Sequence, residues 1–198
     1  MSAWEYYEKN PEKGARVAGA MKSFAAAIEL LPTKLIETYP WHEISNGSGT
    51  IVDVGGSGGH ISVAIAKQAP ELKLVVQDLP APLKKAEIPE SVADRIELME
   101  HDFFKPQPVQ ADAYFFRQIF HDWSDNNVLK ILRATVPALK PGARIIVNEY
   151  IAPEPGTVPF AKEKRIRYVC CSYYPLLQII ILFMLLMVDW LLTGFDIL

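Results

Sequence analysis

Apolar side chains recur at three- and four-residue spacing at Val17, Met21, Phe24, Ile28 and Leu31, in a stretch opened by Asn10-Pro11-Glu12 and closed by Leu31-Pro32. This spacing predicts a helix with one packed face. Thr33 to Tyr39 predicts a short helix, and Asn46-Gly47-Ser48-Gly49 predicts a turn into the first strand. Strand and helix patterns then alternate. The strands are Thr50 to Val54, Leu72 to Gln77, Ile96 to Glu100, Ala113 to Ile119 and, after the turn Lys140-Pro141-Gly142, Ala143 to Glu149. Between them lie a helix Gly59 to Ala69, a helical segment Leu83 to Val92 and a helix Asp125 to Leu139. This order predicts an α/β domain with a doubly wound parallel sheet and helices on both faces. In such sheets ligands bind outside the carboxyl ends of the strands, at the switch point beside the first one.

The pattern changes after Arg167. Lys162 to Arg167 is strongly basic, and Tyr168 to Val188 carries no charged residue, a run long enough to cross a bilayer. Its basic flank, with Asp189 and Asp196 beyond it, would anchor the chain by its tail and leave the main domain in the cytoplasm. Pro175 and Gln178 within the run fit a buried helix and strand of the α/β domain as well, so both readings stand. The strand Ala143 to Glu149 would otherwise be an open apolar edge, and a hydrophobic tail laid over it would relieve that exposure. The expected organisation is therefore a helical lead-in over 1–48, a ligand-binding domain over 49–165 and a hydrophobic tail over 166–198.

With 198 residues, 50% hydrophobic and 22% charged, the chain reads as one globular domain with a proper core. A formal net charge of -3 lacks the electrostatic footprint of a nucleic-acid binder. Cys170 and Cys171 are adjacent, which disfavours a structural disulfide between them and reads as an intracellular chain. Met1 to Gly14 is charged and aromatic, without the apolar core of a signal peptide. The expectation is a cytoplasmic protein, or a tail-anchored one facing the cytoplasm.

The candidate chemistry sits at the strand ends. Ile51-Val52-Asp53-Val54-Gly55-Gly56-Ser57-Gly58-Gly59-His60 is an apolar strand, an acid and a glycine cluster running into a helix. Such a turn brings bare backbone and the free N–H groups of a helix start close to a ligand; it is also what any tight strand-to-helix turn needs. Asp78 closes the second strand, where a carboxylate accepts ribose hydroxyls or caps the next helix. Asp102 closes the third, followed by Phe103 to cover a base. The three acids Asp53, Asp78 and Asp102 are expected to converge on one crevice. The spacing Gly-x-Gly-x-x-Gly of a pyrophosphate binder is absent, and an acid precedes the glycines, so a positively charged ligand such as S-adenosylmethionine fits better than NAD. Past the fourth strand lies Arg117-Gln118-Ile119-Phe120-His121-Asp122-Trp123-Ser124-Asp125. His121 is placed either as a general base for a phenol or simply at the start of the next helix, with Ser124 or Asp125 as its cap. His42, His60 and His101 read as structural. No His/Asp cluster has metal-ligand spacing, so no metal is expected.

Taken together, Asp53-Val54-Gly55-Gly56, Gln77-Asp78-Leu79-Pro80, His101-Asp102-Phe103-Phe104, Arg117 to Asp125 and Leu139-Lys140-Pro141-Gly142 resemble the catalytic domain of plant and fungal O-methyltransferases of the caffeate and sterigmatocystin type. The resemblance covers about Trp4 to Lys164 and includes Met21. It implies a Rossmann-like class I methyltransferase fold in which Gly55, Gly56, Asp78, Asp102, Phe103 and Arg117 contact S-adenosylmethionine and His121 accepts the proton. It further implies methyl transfer to a phenolic or enolic hydroxyl of a small secondary metabolite, without a metal.

The chain also departs from this family. Ser57 stands at the middle glycine of the broader Asp-x-Gly-x-Gly-x-Gly pattern, and serine is small enough for the turn to survive. The N-terminal winged-helix region through which family members usually form homodimers is not seen before Met1. After the fifth strand, the Gly-Gly-Lys-Glu-Arg-like segment, whose acid orients the histidine, finds no match, and neither does the final strand pair. The expectation is a chain truncated at both ends, its C-terminal strands missing or replaced, with a tail of residues never selected to fold. Two alternatives follow: a non-catalytic remnant that binds the cofactor or tethers to a membrane, and an NAD-dependent oxidoreductase, which the missing hydride-transfer residues disfavour.

Overall fold

A computed structural model of the chain describes residues 6, 9–14, 16, 32–149 and 154–160. The chain divides into two compact units, Met1–Trp41 and His42–Leu198. In the first, the Asn10 carbonyl accepts the N–H groups of Lys13 and Gly14 at 3.0 Å, opening a helix where Asn10-Pro11-Glu12 predicts one. Helix α1 spans Pro32–Thr38, with proline in the first turn where its missing N–H does no harm. Trp41 Nε1 donates to the Ile36 carbonyl at 3.0 Å and fixes the end of that helix. The predicted apolar face Val17 to Leu31 lies outside the described residues.

The second unit holds five strands: β1 Thr50–Val54, β2 Lys73–Asp78, β3 Ile96–Glu100, β4 Ala111–Arg117 and β5 Leu139–Asn148. They form one sheet in the order β3-β2-β1-β4-β5, parallel throughout. The order reverses at β1, so the chain leaves that strand at the switch point. Strands covered on both faces must be apolar on both, and Ile51, Val52 and Val54 of β1 are all buried. Helix α2, His60–Gln68, buries Ile61, Ser62, Ile65 and Ala66. Helix α3, Asp125–Thr135, places Val128, Ile131 and Leu132 in one core with Val52, Val54, Val75, Tyr114 and Phe116. Tyr114 is fully buried, and its hydroxyl accepts the Ala111 N–H at 3.0 Å and lies 2.8 Å from the carbonyls of Val109 and Ala138, one of which takes its proton.

The prolines redraw several predicted boundaries. Leu83 to Val92 is not a helix: a single helical turn covers Pro80–Leu83 and a 3-10 turn covers Glu90–Arg95, because Pro89 has no N–H to continue a helix and biases the residue before it away from helical angles. Helix α3 stops at Thr135 rather than Leu139, two residues before Pro137. Strand β5 begins at Leu139, and Lys140-Pro141-Gly142 forms an irregularity within it: Ala111 pairs with Leu139, and Ala113 already with Arg144. Among the described residues no helix is long and apolar enough to cross a membrane. The uncharged run 168–188, its basic flank and both cysteines lie outside those residues.

Candidate functional site

Chain geometry at the end of β1 explains the glycines. Gly55 has φ +73°, and a Cβ on it would stand 2.5 Å from Ile119 Cδ1 and 3.8 Å from Phe103 Cε1. A Cβ on Gly56 would stand 2.6 Å from Asp53 Cγ and 2.9 Å from Val76 Cγ1. Both N–H groups donate to the Gln77 carbonyl, at 2.8 and 3.1 Å, which pins the turn to β2. Ser57 adopts φ +52°, the left-handed conformation that glycine takes more easily, and its N–H donates to Asp78 Oδ2 at 2.8 Å. The turn keeps its shape with serine in this place.

The strand-end acids divide into two roles. Asp53 is only 3% exposed, and its Oδ2 accepts the Ser62 hydroxyl at 2.7 Å. Burial pushes its carboxyl up to about 6, against the Ser62 hydrogen bond and the Arg117 charge, with Asp78 adding to the rise. Asp53 therefore braces the turn from beneath and does not open into a crevice with the other two. Asp78 ends β2, with Leu79 N–H donating to Oδ1 at 2.7 Å. Burial raises its carboxyl despite the hydrogen bonds from Leu79 and Ser57. It caps no helix: Leu79 holds the cap position of Pro80–Leu83. The Asp78 carbonyl accepts the His101 N–H at 3.0 Å, joining the ends of β2 and β3. Asp102 follows at once, its Oδ1 accepting the Phe104 N–H at 3.0 Å. Phe103 and Phe104 meet Trp123 edge-on, with centroids 5.9 and 4.8 Å away. Gly55, Gly56, Asp78, Asp102 and Phe103 are thus brought together. Arg117 ends β4, and its charge reaches Asp53 beneath the turn and His60 at the start of α2.

The chain reverses after Arg117 through Gln118, at φ +55°, into a 3-10 turn Phe120–Asp122. A left-handed non-glycine residue here is local strain at the point where the chain presents His121. Phe120 stacks on Phe116 at 5.0 Å and anchors that turn in the core. His121 Nδ1 donates to Glu149 Oε2 at 2.8 Å. The other carboxylate oxygen accepts the N–H groups of Ile119 and Phe120 at 2.6 and 2.7 Å. Nε2 lies 3.5 Å from Asp122 Oδ1, an ion pair whenever the ring is protonated. Burial works against a charged ring, but the hydrogen bond and charge of Glu149, together with Asp122, hold the His121 pKa above its usual value. Helix α3 starts separately, at Ser124, whose carbonyl accepts from Asn127 and Val128.

Glu149 is the residue the sequence reading overlooked. The acid that orients the histidine was expected only in a segment past the fifth strand, where nothing matched; the structure supplies one immediately after β5. The signal was an acid closing an apolar strand, the same one that marked Asp78 and Asp102. Burial lowers the pKa of His60, with the Arg117 charge, and that of His101. Among the described residues no three His, Cys, Asp or Glu side chains are grouped to hold a metal ion.

The chain has relatives among known proteins. Residues 1–182 match the model of the O-methyltransferase domain. The grayanic acid biosynthesis cluster O-methyltransferase of Cladonia grayi is 50% identical over 170 residues, which cover 84% of this chain and 37% of that protein. O-methyltransferase pyvH of Aspergillus violaceofuscus is 46% identical over 173 residues, covering 83% of this chain and 41% of that one. The chain thus spans about two fifths of the length of these curated relatives. Among solved structures, an O-methyltransferase from neocarzinostatin biosynthesis, in complex with S-adenosylmethionine and 2-hydroxy-5-methyl naphthoic acid, superposes with a TM-score of 0.70 at 26% identity, covering 91% of this chain and 53% of that one. Family model and sequence identity agree: the chain belongs to the O-methyltransferase domain family.

Proposed function

We propose that the chain is the catalytic part of an S-adenosylmethionine-dependent O-methyltransferase that methylates a phenolic or enolic hydroxyl of a small secondary metabolite. Residues 49–165 form the cofactor-binding domain and 1–48 its helical lead-in. The observation that supports the reading is the His121–Glu149 hydrogen bond of 2.8 Å, which fixes an imidazole in the turn that follows β4. The 2-hydroxy-5-methyl naphthoic acid bound by the neocarzinostatin-biosynthesis enzyme favours an aromatic acceptor.

Local chemistry fits the cofactor. Bare backbone at Gly55 and Gly56, carboxylates at Asp78 and Asp102 and the ring of Phe103 match a nucleoside, and the prevalence of acids matches a positive sulfur. Those residues and Arg117 would hold it. When bound, S-adenosylmethionine supplies an electrophilic methyl group. His121 Nε2 takes the proton of the acceptor hydroxyl as that oxygen becomes nucleophilic. A phenol has a pKa near 10 and reacts poorly while protonated, so a histidine made more basic by Glu149 is the stronger acceptor. Glu149 stabilises the imidazolium that results, and its two backbone hydrogen bonds hold the ring in place.

Calorimetric titration of the chain with S-adenosylhomocysteine and with NAD tests the cofactor, and turnover of a phenol panel tests the reaction. The expected result is binding of the first ligand only, lost in Asp78→Ala and kept in His121→Ala, with methylation lost in His121→Ala. Binding without methylation of any phenol would make the chain a cofactor-binding remnant, and preference for NAD would overturn the reading altogether.

A further inference from the structure

Gln77 serves both sides of the cofactor-binding end through different atoms. Its backbone carbonyl accepts the N–H groups of Gly55 and Gly56. Its side chain, 1% exposed, meets Gln107 in a reciprocal amide pair: Gln77 Nε2 donates to Gln107 Oε1 at 2.9 Å, and Gln107 Nε2 donates to Gln77 Oε1 at 2.8 Å. Gln107 Oε1 also accepts the Val109 N–H at 3.1 Å, and the Gln107 N–H donates to the Ala134 carbonyl at 2.9 Å. Residues 101–110, which carry Asp102 and Phe103 from β3 to β4, contain neither helix nor strand. That segment keeps its place through a few specific bonds, one from His101 to the Asp78 carbonyl near its start and the amide pair near its end.

Burying two primary amides is an unusual way to hold a loop. Each is satisfied largely by the other: without its partner, Gln77 keeps only the weak Met99 Sδ acceptor at 3.3 Å and loses the donor to its Oε1, and Gln107 keeps only the Val109 N–H and loses the acceptor for its Nε2. Apolar side chains of the same length would fill the space without that exposure. What the amides add is direction, because two antiparallel N–H···O bonds fix both separation and rotation, whereas apolar contacts slide.

We propose that the Gln77–Gln107 pair is a positioning device that sets the distance between the Gly55–Gly56 turn and the Asp102–Phe103 segment, and thereby the affinity for the adenosine part of the cofactor. The proposal rests on the S-adenosylmethionine reading above. Neither glutamine is a catalytic residue, since both act through the groups they hold.

The test compares the wild-type chain with Gln107→Met and with the double variant Gln77→Met, Gln107→Met, by thermal unfolding and by S-adenosylhomocysteine calorimetry. Methionine keeps the length of glutamine and removes its hydrogen bonds. The single variant leaves the buried Gln77 Oε1 without its donor and is expected to lose both thermal stability and affinity. The double variant is expected to recover wild-type thermal stability while binding S-adenosylhomocysteine about tenfold more weakly, the loss that one misplaced hydrogen bond produces. A double variant that binds as tightly as wild type, or that shows no folded circular dichroism spectrum, overturns the proposal and makes the pair a packing element. If the wild-type chain itself binds no S-adenosylhomocysteine, the cofactor reading falls first, and that result is seen before any variant is measured.

Discussion

Glu149 grips His121 and the backbone that carries it with one carboxylate: Oε2 takes the ring N–H at 2.8 Å, and Oε1 takes the N–H groups of Ile119 and Phe120. The two residues come from neighbouring strands, β4 through the turn that follows it and β5 through its last step, where Arg117 pairs with Asn148. Glu149 thus holds the ring in place, and its charge, with that of Asp122, raises the ring's basicity.

Replacing that carboxylate by an amide removes the charge and leaves one accepting oxygen where there were two. In Glu149→Gln the His121 pKa falls toward its ordinary value, because the charge that raised it is gone. The acid limb of the pH profile of kcat/KM should move to lower pH, while the plateau drops because a weaker base accepts the proton. His121→Ala should lose about 10²- to 10⁴-fold in kcat, the usual share of a positioned general base. An unchanged acid limb in Glu149→Gln would show that His121 does not govern it.

Asp53 makes folding depend on pH in the opposite sense to a salt-bridged carboxylate. Its folded pKa, about 6, lies above the ordinary carboxylate value of 3.8, so the stability linked to it is fully present below the unfolded value and is lost as pH rises to about 6. The expected loss is on the order of 2–3 kcal/mol between pH 4 and 7. Urea unfolding of wild type and Asp53→Asn across that range should show their difference in stability changing by this amount. A constant difference would mean that the carboxyl is not held protonated.

Ser57 carries a cost that glycine would avoid. A left-handed L-residue costs roughly 1–2 kcal/mol, while glycine gives back about 0.4–1 kcal/mol through the freedom of the unfolded chain. Ser57→Gly should therefore be neutral or more stable by about 1 kcal/mol. Ser57→Val, β-branched at positive φ, should be less stable and bind S-adenosylhomocysteine more weakly, because the N–H that donates to Asp78 shifts with the backbone. Equal affinity in the valine variant would show that this N–H does not hold Asp78 in place.

Much of this was legible along the chain because the relevant signals are local. The β1 strand, the glycine cluster and the start of α2 are contiguous, and their order reflects the few backbone shapes that glycine permits. Asp78 and Arg117 each end a strand and Asp102 lies two residues past one, and parallel strands of similar length bring their ends to the same side of the sheet. Proline effects were local too, yet the apolar pattern of Leu83 to Val92 outweighed Pro89 in the prediction, and the missing N–H decided otherwise.

What depends on distant pairing was not legible. Asp53 sits among the acids in sequence, but alternation along β1 turns it toward Ser62 of α2 and beneath the turn. Glu149 reaches His121 only because β4 and β5 are neighbours, and Gln77 finds Gln107 only because the segment after β3 crosses the face of β2. By itself the sequence determined which elements form and which of them end in chemically useful residues, since both follow from local backbone preference and periodicity. The order and register of the strands decided which of those residues touch, because a hydrogen bond needs two groups within about 3 Å, and no spacing along the chain specifies that.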